Sequence, residues 1–538
     1  LQRSSSNPDS PPRVVIESVR PQVDCGRYPV KRALGEEVLV EADVFTDGHD
    51  EVGCEVLYKH SSDAEWKPIP MTFHGNDHWS ASFACEKLGR YQYTVRGWVD
   101  PYLTWQHDLE KRKSAKQDIT VDLQIGKALS RKGIEKIPFE RTLEVVVDAK
   151  KARFSSWYEL FPRSFGGFRG VIEVLPYVAE LGFDVLYLPP IHPIGVTARK
   201  GKNNAVSARP GEVGSPWAIG SADGGHKAIE PSLGTLQDFE ALVKAASEKN
   251  IQIALDIAFQ CSPDHPYVKE HPKWFRWRPD GTVQYAENPP KKYQDIYPFE
   301  FESEDWKGLW AELKSVFEHW IGHGVRIFRV DNPHTKPFAF WEWCISEIRA
   351  KHPDVIFLSE AFTRPRVMHK LAKLGFSQSY TYFTWRNSKA EIVEYFTELT
   401  ASESREYFRP NCWPNTPDIL HATLQSGGRP AFIVRAVLAA TLAANYGLYG
   451  PAYELLEHLP REPGSEEYLN SEKYEIKRWD LSRPDSLREL ISRLNHIRKA
   501  NPSLQHDWNL KFHGVDNDQL LAYSKGDVLM VVNLDPHR

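Results

Sequence analysis

Residues 325–334 read VRIFRVDNPH. Val325, Ile327, Phe328 and Val330 form an apolar run of strand length, rich in β-branched residues, begun after Gly322 and Gly324 and stopped at Pro333. That pattern predicts a buried strand. The run also carries Arg326 and Arg329 and ends in Asp331 and Asn332. A buried guanidinium without an anionic partner is very costly. Asp331 follows Arg329 by two residues, so on a strand both side chains point to one face. A carboxylate at the carboxyl end of a strand, held by a guanidinium, is kept ionised and aimed. That suits a nucleophile. A structural ion pair is the plainer reading of the same residues, and the stretch alone does not separate the two.

On both sides of this run strands alternate with helices. Strands are predicted at 157–161, 185–188, 251–258, 355–358 and 446–449. Helices are predicted at 171–181, 338–350, 367–374, 390–399, 431–444 and 486–500, with Trp306, Leu309, Trp310, Leu313, Phe317, Trp320 and Ile321 at helical spacing before the central strand. Thr235 and Asp238 look like an N-cap pair opening a helix to Asn250. No glycine-rich phosphate fingerprint follows the first strand, so repeated strand–helix units over this length predict a (β/α)₈ TIM barrel rather than an open sheet. The barrel is assigned to residues 149–505, with long loop insertions at 191–234 and 259–303. Residues 14–148 carry short alternating strands (Val38, Val40, Ala42, Val44; Tyr91, Tyr93, Val95) between turn residues, which predicts an N-terminal β-sandwich. Residues 1–13 resemble a disordered leader. Alternation returns near Leu520 and Val528–Val532, which reads as the start of a truncated C-terminal β domain over 506–538.

A net charge of −5 over 538 residues leaves no basic or acidic excess. Neither nucleic acid nor an anionic membrane is expected as a partner. The most apolar window, Ala431–Leu448, contains Arg435 and Asn445 and is read as a core helix, not a membrane span. Six scattered cysteines with no CxxC read as reduced thiols of a cytoplasmic protein, with no metal site and no cofactor expected. Seventeen tryptophans suit core packing, or rings stacked on sugar faces.

Carboxylates recur where barrel chemistry takes place, at the carboxyl ends of strands. Asp256 ends IQIALD, Asp331 follows Arg329-Val330, Glu360 follows FLS, and Asp418 lies in NTPD. Each alone could be a helix cap or a structural acid. Together they meet the demands of glycoside chemistry: one carboxylate attacks the anomeric carbon and a second, with a raised pKa, protonates the leaving oxygen.

These residues resemble the signature regions of the α-amylase clan. Longer stretches are similar to one group within it, the maltosyltransferases that use α-maltose 1-phosphate to extend α-1,4-glucans. They are WYELFPRS (157–164), ARKGKNN (198–204), DIAFQCSPDHP (256–266), AENPPKKYQDIYP (286–298), FRVDNPHTKP (328–337), LSEAFTRP (358–365) and NTPDIL (415–420). The resemblance implies Asp331 as nucleophile, Glu360 as acid/base and Asp418 as transition-state stabiliser, with Arg329 orienting Asp331 within the substrate-binding set. It implies Lys200 and Gln260 at the donor sugar. Gln260-Cys261 stands where many clan members have Asn-His. Asn288, Lys291, Tyr293 and Asn332 are implied around the phosphate, and Lys473 and Tyr474 at the second glucose. The implied partners are α-maltose 1-phosphate and glycogen or maltooligosaccharides. The family is a homodimer formed through a helical insertion. That insertion is short here, so a monomer or weak dimer is expected. The competing readings are an α-glucan hydrolase or branching-type transglycosylase of the same clan, and a non-catalytic glucan-binding relative.

Overall fold

A computed structural model describes residues 12–129, 134–289 and 291–537; the side chains of Asn288 and Lys291 also lie outside the described set. All but two residues of the expected leader, 1–13, fall outside it too. The chain divides into two compact units at Asp148/Ala149.

The first unit is a sandwich of two sheets. One has the order Val14–Arg20, Glu37–Thr46, His78–Ala84, Thr72–Phe73. The other has the order Val30–Ala33, Leu143–Asp148, Gly89–Val99, Val52–His60, Lys67–Pro70, with Ile137–Pro138 paired to Gly89–Val99. The alternation read from the sequence is the sandwich interior. Val38, Val40, Ala42 and Val44 are buried, as are Tyr91, Tyr93 and Val95. Phe83 of the first sheet stacks on Tyr58 of the second, with ring centroids 4.5 Å apart. The helical insertion is two helices, Pro101–Ser114 and Thr120–Ala128. Asp100 caps the first through the amides of Tyr102 and Leu103.

The second unit is a closed barrel of eight parallel strands. They are β1 (Ser155–Glu159), β2 (Val185–Leu188), β3 (Gln252–Ile257), β4 (Ile327–Asp331), β5 (Ile356–Glu360), β6 (Gln378–Tyr380), β7 (Pro410–Cys412) and β8 (Asn445–Tyr449). Trp157, Tyr187, Ala254, Ile327, Leu358, Tyr380 and Trp413 fill its interior. The helix after the first long loop runs Leu236–Glu248, and Thr235 with Asp238 closes the expected capping box.

Three sequence readings are corrected. β6 and β7 were not foreseen, because they are short and not apolar. Gln378, which opens β6, and Asn411, the second residue of β7, belong to a polar network at the barrel's amino end. There Gln378 donates to Ser155 Oγ and Asn445 Oδ1, and Asn411 donates to Gln378. Strands that bury amides against one another leave no hydrophobic run to read. The window Ala431–Leu448 is likewise not one helix. The helix covers Gly428–Leu442 and Asn445 opens β8. Among the described residues no helix is long and apolar enough to cross a membrane. Thirdly, the stretch Asn288–Tyr293, read as loop, is a β-hairpin of Ala286–Asn288 against Lys291–Tyr293.

The C-terminal strands Leu510–His513, Leu520–Lys525 and Val528–Asn533 form an antiparallel sheet. One face is buried through Leu521, Tyr523 and Val532, while Leu529 and Val531 are 65% and 63% exposed.

Candidate active site

The site begins with the register of the strands. In β3 and β4, Asp256 pairs with Arg329; in β4 and β5, Asp331 pairs with Glu360. Parallel neighbours in register present their side chains on one face, so four charged groups meet at the carboxyl end of the barrel. Arg329 gathers them. It donates to Asp256 at 3.0 Å and to Asp331 at 2.9 Å, and lies 3.4 Å from Glu360. Its guanidinium is also 5.7 Å from the ring centroids of both Tyr187 and Tyr380. The anionic partner that the sequence demanded for a strand arginine is therefore three carboxylates. Arg329 was expected among substrate-binding groups, but it does not line the cavity. It lies beneath the floor, because a cation that neutralises three buried acids must be packed among them.

Above Arg329 opens a cavity of about 1340 Å³, roomy enough for several sugar rings. Asp331, Asn332, Glu360 and Asp418 line its floor and one wall. Lys200, Gln260, Tyr293, Lys473 and Tyr474 line it as well. These come from three separate loops, and the fold alone brings them together. Lys473 donates to Asp418 at 2.6 Å and lies 4.9 Å from the Trp217 ring centroid. Gln260 donates to the Trp217 carbonyl at 3.2 Å. The side chains of Asn288 and Lys291 lie outside the described residues; their backbones belong to the hairpin that carries Tyr293.

The carboxylates are not equivalent. Burial and the neighbouring Asp331 charge push Glu360 up to about 7, against the opposing pull of Arg329. Such a group can hold a proton and give it up near neutrality, as a general acid/base must. Burial pushes Asp256 up to about 7 too, but it is sealed under Arg329 and Tyr187, away from the cavity. Burial likewise raises Glu159, at the end of β1, well above the carboxylate range. Burial disfavours charge on Lys473, yet the Asp418 carboxylate outweighs it and holds the ammonium above its ordinary range.

The Glu360 shift has a consequence for stability. A carboxyl raised in the folded state binds its proton more tightly there than in the unfolded chain. Its contribution is full below the unfolded value of 4.5 and is lost as pH rises through about 7. Glu360→Gln is therefore expected to stabilise the barrel at pH 8 by about 1–3 kcal/mol. The gain should fade towards pH 4.5. Thermal unfolding of both proteins at the two pH values checks this; an equal difference at both would mean that the Glu360 charge is not what strains the site.

His226, Cys261 and His265 form a buried cluster with metal-ligand atoms within 4.8 Å of one another. Its nitrogens are already committed. The Tyr267 amide donates to His265 Nδ1, so His265 donates through Nε2 to His226 Nδ1, 3.0 Å away, and His226 Nε2 donates to the Ala258 carbonyl. Burial keeps both rings neutral, pulling His226 to about 4 and His265 to about 2. The cluster is a hydrogen-bonded brace under the loop that carries Gln260.

Sequence reasoning missed Trp217, Asp295 and Lys336, which also line the cavity. Trp217 and Asp295 lie in long loops without periodicity. Lys336 lies inside the quoted FRVDNPHTKP stretch, five residues after Asp331, but no strand or helix spacing ties the two together.

A closed parallel barrel with an arginine-bridged carboxylate pair on adjacent strands, and a third acid on the next loop but one, defines an α-amylase-type enzyme of glycoside chemistry. Comparison with known proteins agrees. Residues 139–310 match the α-amylase catalytic domain, and residues 12–159 match domain N/S of α-1,4-glucan:maltose-1-phosphate maltosyltransferase. Among solved structures, a cyclomaltodextrinase aligns at a TM-score of 0.56 over 97% of this chain and 91% of its own, with 14% identity. An α-amylase from Lactobacillus plantarum aligns at 0.55 over 70% and 86%, with 22% identity. These two share the fold. Much closer in sequence are the α-1,4-glucan:maltose-1-phosphate maltosyltransferases of Chlorobaculum tepidum, 53% identical over 97% of this chain and 88% of that protein, and Methylacidiphilum infernorum, 52% identical over 97% and 87%. The chain belongs to the α-1,4-glucan:maltose-1-phosphate maltosyltransferase family.

Proposed function

We propose that this enzyme moves maltosyl units from α-maltose 1-phosphate to the non-reducing end of α-1,4-glucans, releasing phosphate and retaining the α configuration. The observation that carries the retaining mechanism is the direct register of Asp331 with Glu360, bridged by Arg329. Neighbouring strands lie ~4.8 Å apart. Two carboxyls in register on them match the ~5–5.5 Å of retaining glycosidases better than the ~6.5–9.5 Å of inverting ones.

In the first step Asp331 attacks the anomeric carbon, the bond to the phosphate oxygen breaks, and a maltosyl ester forms on Asp331. Asp418, held by Lys473, faces the positive charge that develops on the sugar ring. In the second step Glu360 takes the proton of an acceptor hydroxyl. That oxygen attacks the anomeric carbon and displaces Asp331. Esterified Asp331 carries no charge, so the repulsion that raised Glu360 is relieved when Glu360 must act as base. Lys200 and Gln260 hold the donor sugar. Lys473 and Tyr474 close on the second glucose and favour a disaccharide unit. Asn288, Lys291, Tyr293 and Asn332 surround the phosphate. Incubation with α-maltose 1-phosphate and maltohexaose is the direct test. Free phosphate together with products longer by two glucoses is expected; maltose without elongation would make the protein a hydrolase.

Lys291 should separate the donors. Removing one charge-assisted hydrogen bond costs roughly 1.5–3 kcal/mol. Lys291→Ala should then lower kcat/KM for α-maltose 1-phosphate about ten- to a hundredfold, and far less for α-maltosyl fluoride, which has no phosphate. Tyr293→Phe should follow the same pattern more weakly. An equal fall with both donors would move Lys291 from phosphate recognition to sugar binding or folding.

A further inference from the structure

The turn after the proposed nucleophile is built on a conformation that residues other than glycine rarely adopt. Asn332 has φ 42° and ψ 51°. A left-handed residue at such a place persists only where its surroundings hold it. Asn332 also touches both reacting carboxylates. Its amide donates to Glu360 Oε2 at 3.1 Å, and its Nδ2 donates to Asp331 Oδ2 at 3.3 Å. A change in the backbone angles of Asn332 disturbs both contacts.

The carbonyl of Asn332 is held from the other side. It accepts from the Thr335 amide at 3.1 Å, from Thr335 Oγ1 at 2.8 Å and from Lys336 Nζ at 3.2 Å. The same ammonium reaches the Asp331 carbonyl at 3.5 Å. Lys336 is 8% exposed and lines the cavity beside Asn332, Thr335 and Glu360. Its hydrogen bonds among the described residues go to those two carbonyls, with no carboxylate in contact. A buried ammonium without a paired carboxylate is expensive to keep. A neutral hydroxyl such as that of Thr335 could hold the carbonyl, so a lysine here implies that its charge is used.

We propose that Lys336 is a positioning residue for maltosyl transfer: by holding the Asn332 carbonyl it fixes the turn that sets Glu360 and Asp331 against each other, and its charge offsets theirs. The proposal rests on the roles given to Asp331 and Glu360 above. The charged and titratable groups facing Glu360 are Arg329 and Asp331 from β4, Tyr380 from β6, Asp418 from the loop after β7, and Lys336 itself, which in turn faces Asp256 of β3 and His334 of its own turn. Of these, Arg329 and Lys336 are the cations, and Lys336 is the one at the cavity wall.

The test separates the two half-reactions. Phosphate release is followed with α-maltose 1-phosphate, and transfer to maltohexaose is followed from enzyme preloaded with α-maltosyl fluoride. Lys336→Met should slow both by about ten- to a hundredfold, the effect of losing a charged hydrogen bond, while KM for α-maltosyl fluoride, which has no phosphate for Asn332 to meet, changes by no more than about twofold. The acidic limb of the transfer step, set by Glu360, should move to higher pH, by less than the ~1–3 units that a directly paired cation exerts. Lys336→Arg should return the limb towards wild type. Thr335→Val, which removes the hydroxyl donor alone, should slow both steps slightly and leave the limb in place; Lys336→Gln, which keeps a donor but no charge, should move the limb as methionine does and serves if the methionine variant fails to fold. A loss confined to the phosphate donor would assign Lys336 to the leaving group and overturn the proposal. So would variants that are less stable but have wild-type rates and limb. Wild-type enzyme that forms no ester on Asp331 would instead refute the underlying assignment.

Discussion

Asp331→Ala should lose about 10⁴- to 10⁶-fold in turnover, the range seen when a residue of a covalent catalytic unit is deleted. The fold should survive. Arg329 keeps Asp256 and Glu360 as partners, so no buried charge is stranded. β4 keeps its apolar residues Ile327, Phe328 and Val330, all fully buried. The variant should therefore unfold near the wild-type temperature and still bind donor. A fluorinated maltosyl donor that slows the second step should label Asp331 in the wild type, and peptide mapping locates the label. Sugar found on Glu360 or Asp418, or an alanine variant with ordinary turnover, would require a different nucleophile.

Glu360→Ala should break the reaction into its halves. Phosphate is a good leaving group and needs little help from an acid, whereas a sugar hydroxyl needs a base to attack. The variant should release about one equivalent of phosphate in a burst and then stall as the maltosyl ester, with steady turnover down about 10²–10⁴-fold. Azide, a nucleophile that needs no base, should restore turnover and give a maltosyl azide. The pH profile offers a second check. Glu360 in the free enzyme is raised to about 7, partly by the charge of Asp331. Transfer from the preformed ester lacks that charge, so its acidic limb should lie below 7. A limb that does not move between the free enzyme and the ester would mean that Glu360 does not feel the nucleophile. A variant with neither a stalled ester nor azide rescue would show that the acid/base lies elsewhere.

Much of this site was legible in VRIFRVDNPH. A strand arginine two residues before an aspartate demanded a buried anionic partner, and alternation put both on one face. Barrel strands announced themselves where their residues were apolar, as in β2, β3, β4 and β5. β6 and β7 did not, because Gln378 and Asn411 spend their side chains on each other and on Ser155 and Asn445 across the barrel's end. A polar network of this kind has no period along the chain.

The sequence by itself thus determined the strand carrying Asp331, its alliance with Arg329, the barrel, and, through long shared motifs, the family. Tertiary structure alone decided how the charges are shared. Arg329 serves three acids because β3, β4 and β5 lie in register. Lys473 reaches Asp418 across 55 residues of chain. Glu360 differs from an ordinary glutamate because it is buried beside Asp331. Hydrophobic periodicity is local and can be read along the chain. A pKa, an ion pair or a clamped turn depends on which distant groups are brought within a few ångströms, and folding alone supplies that distance.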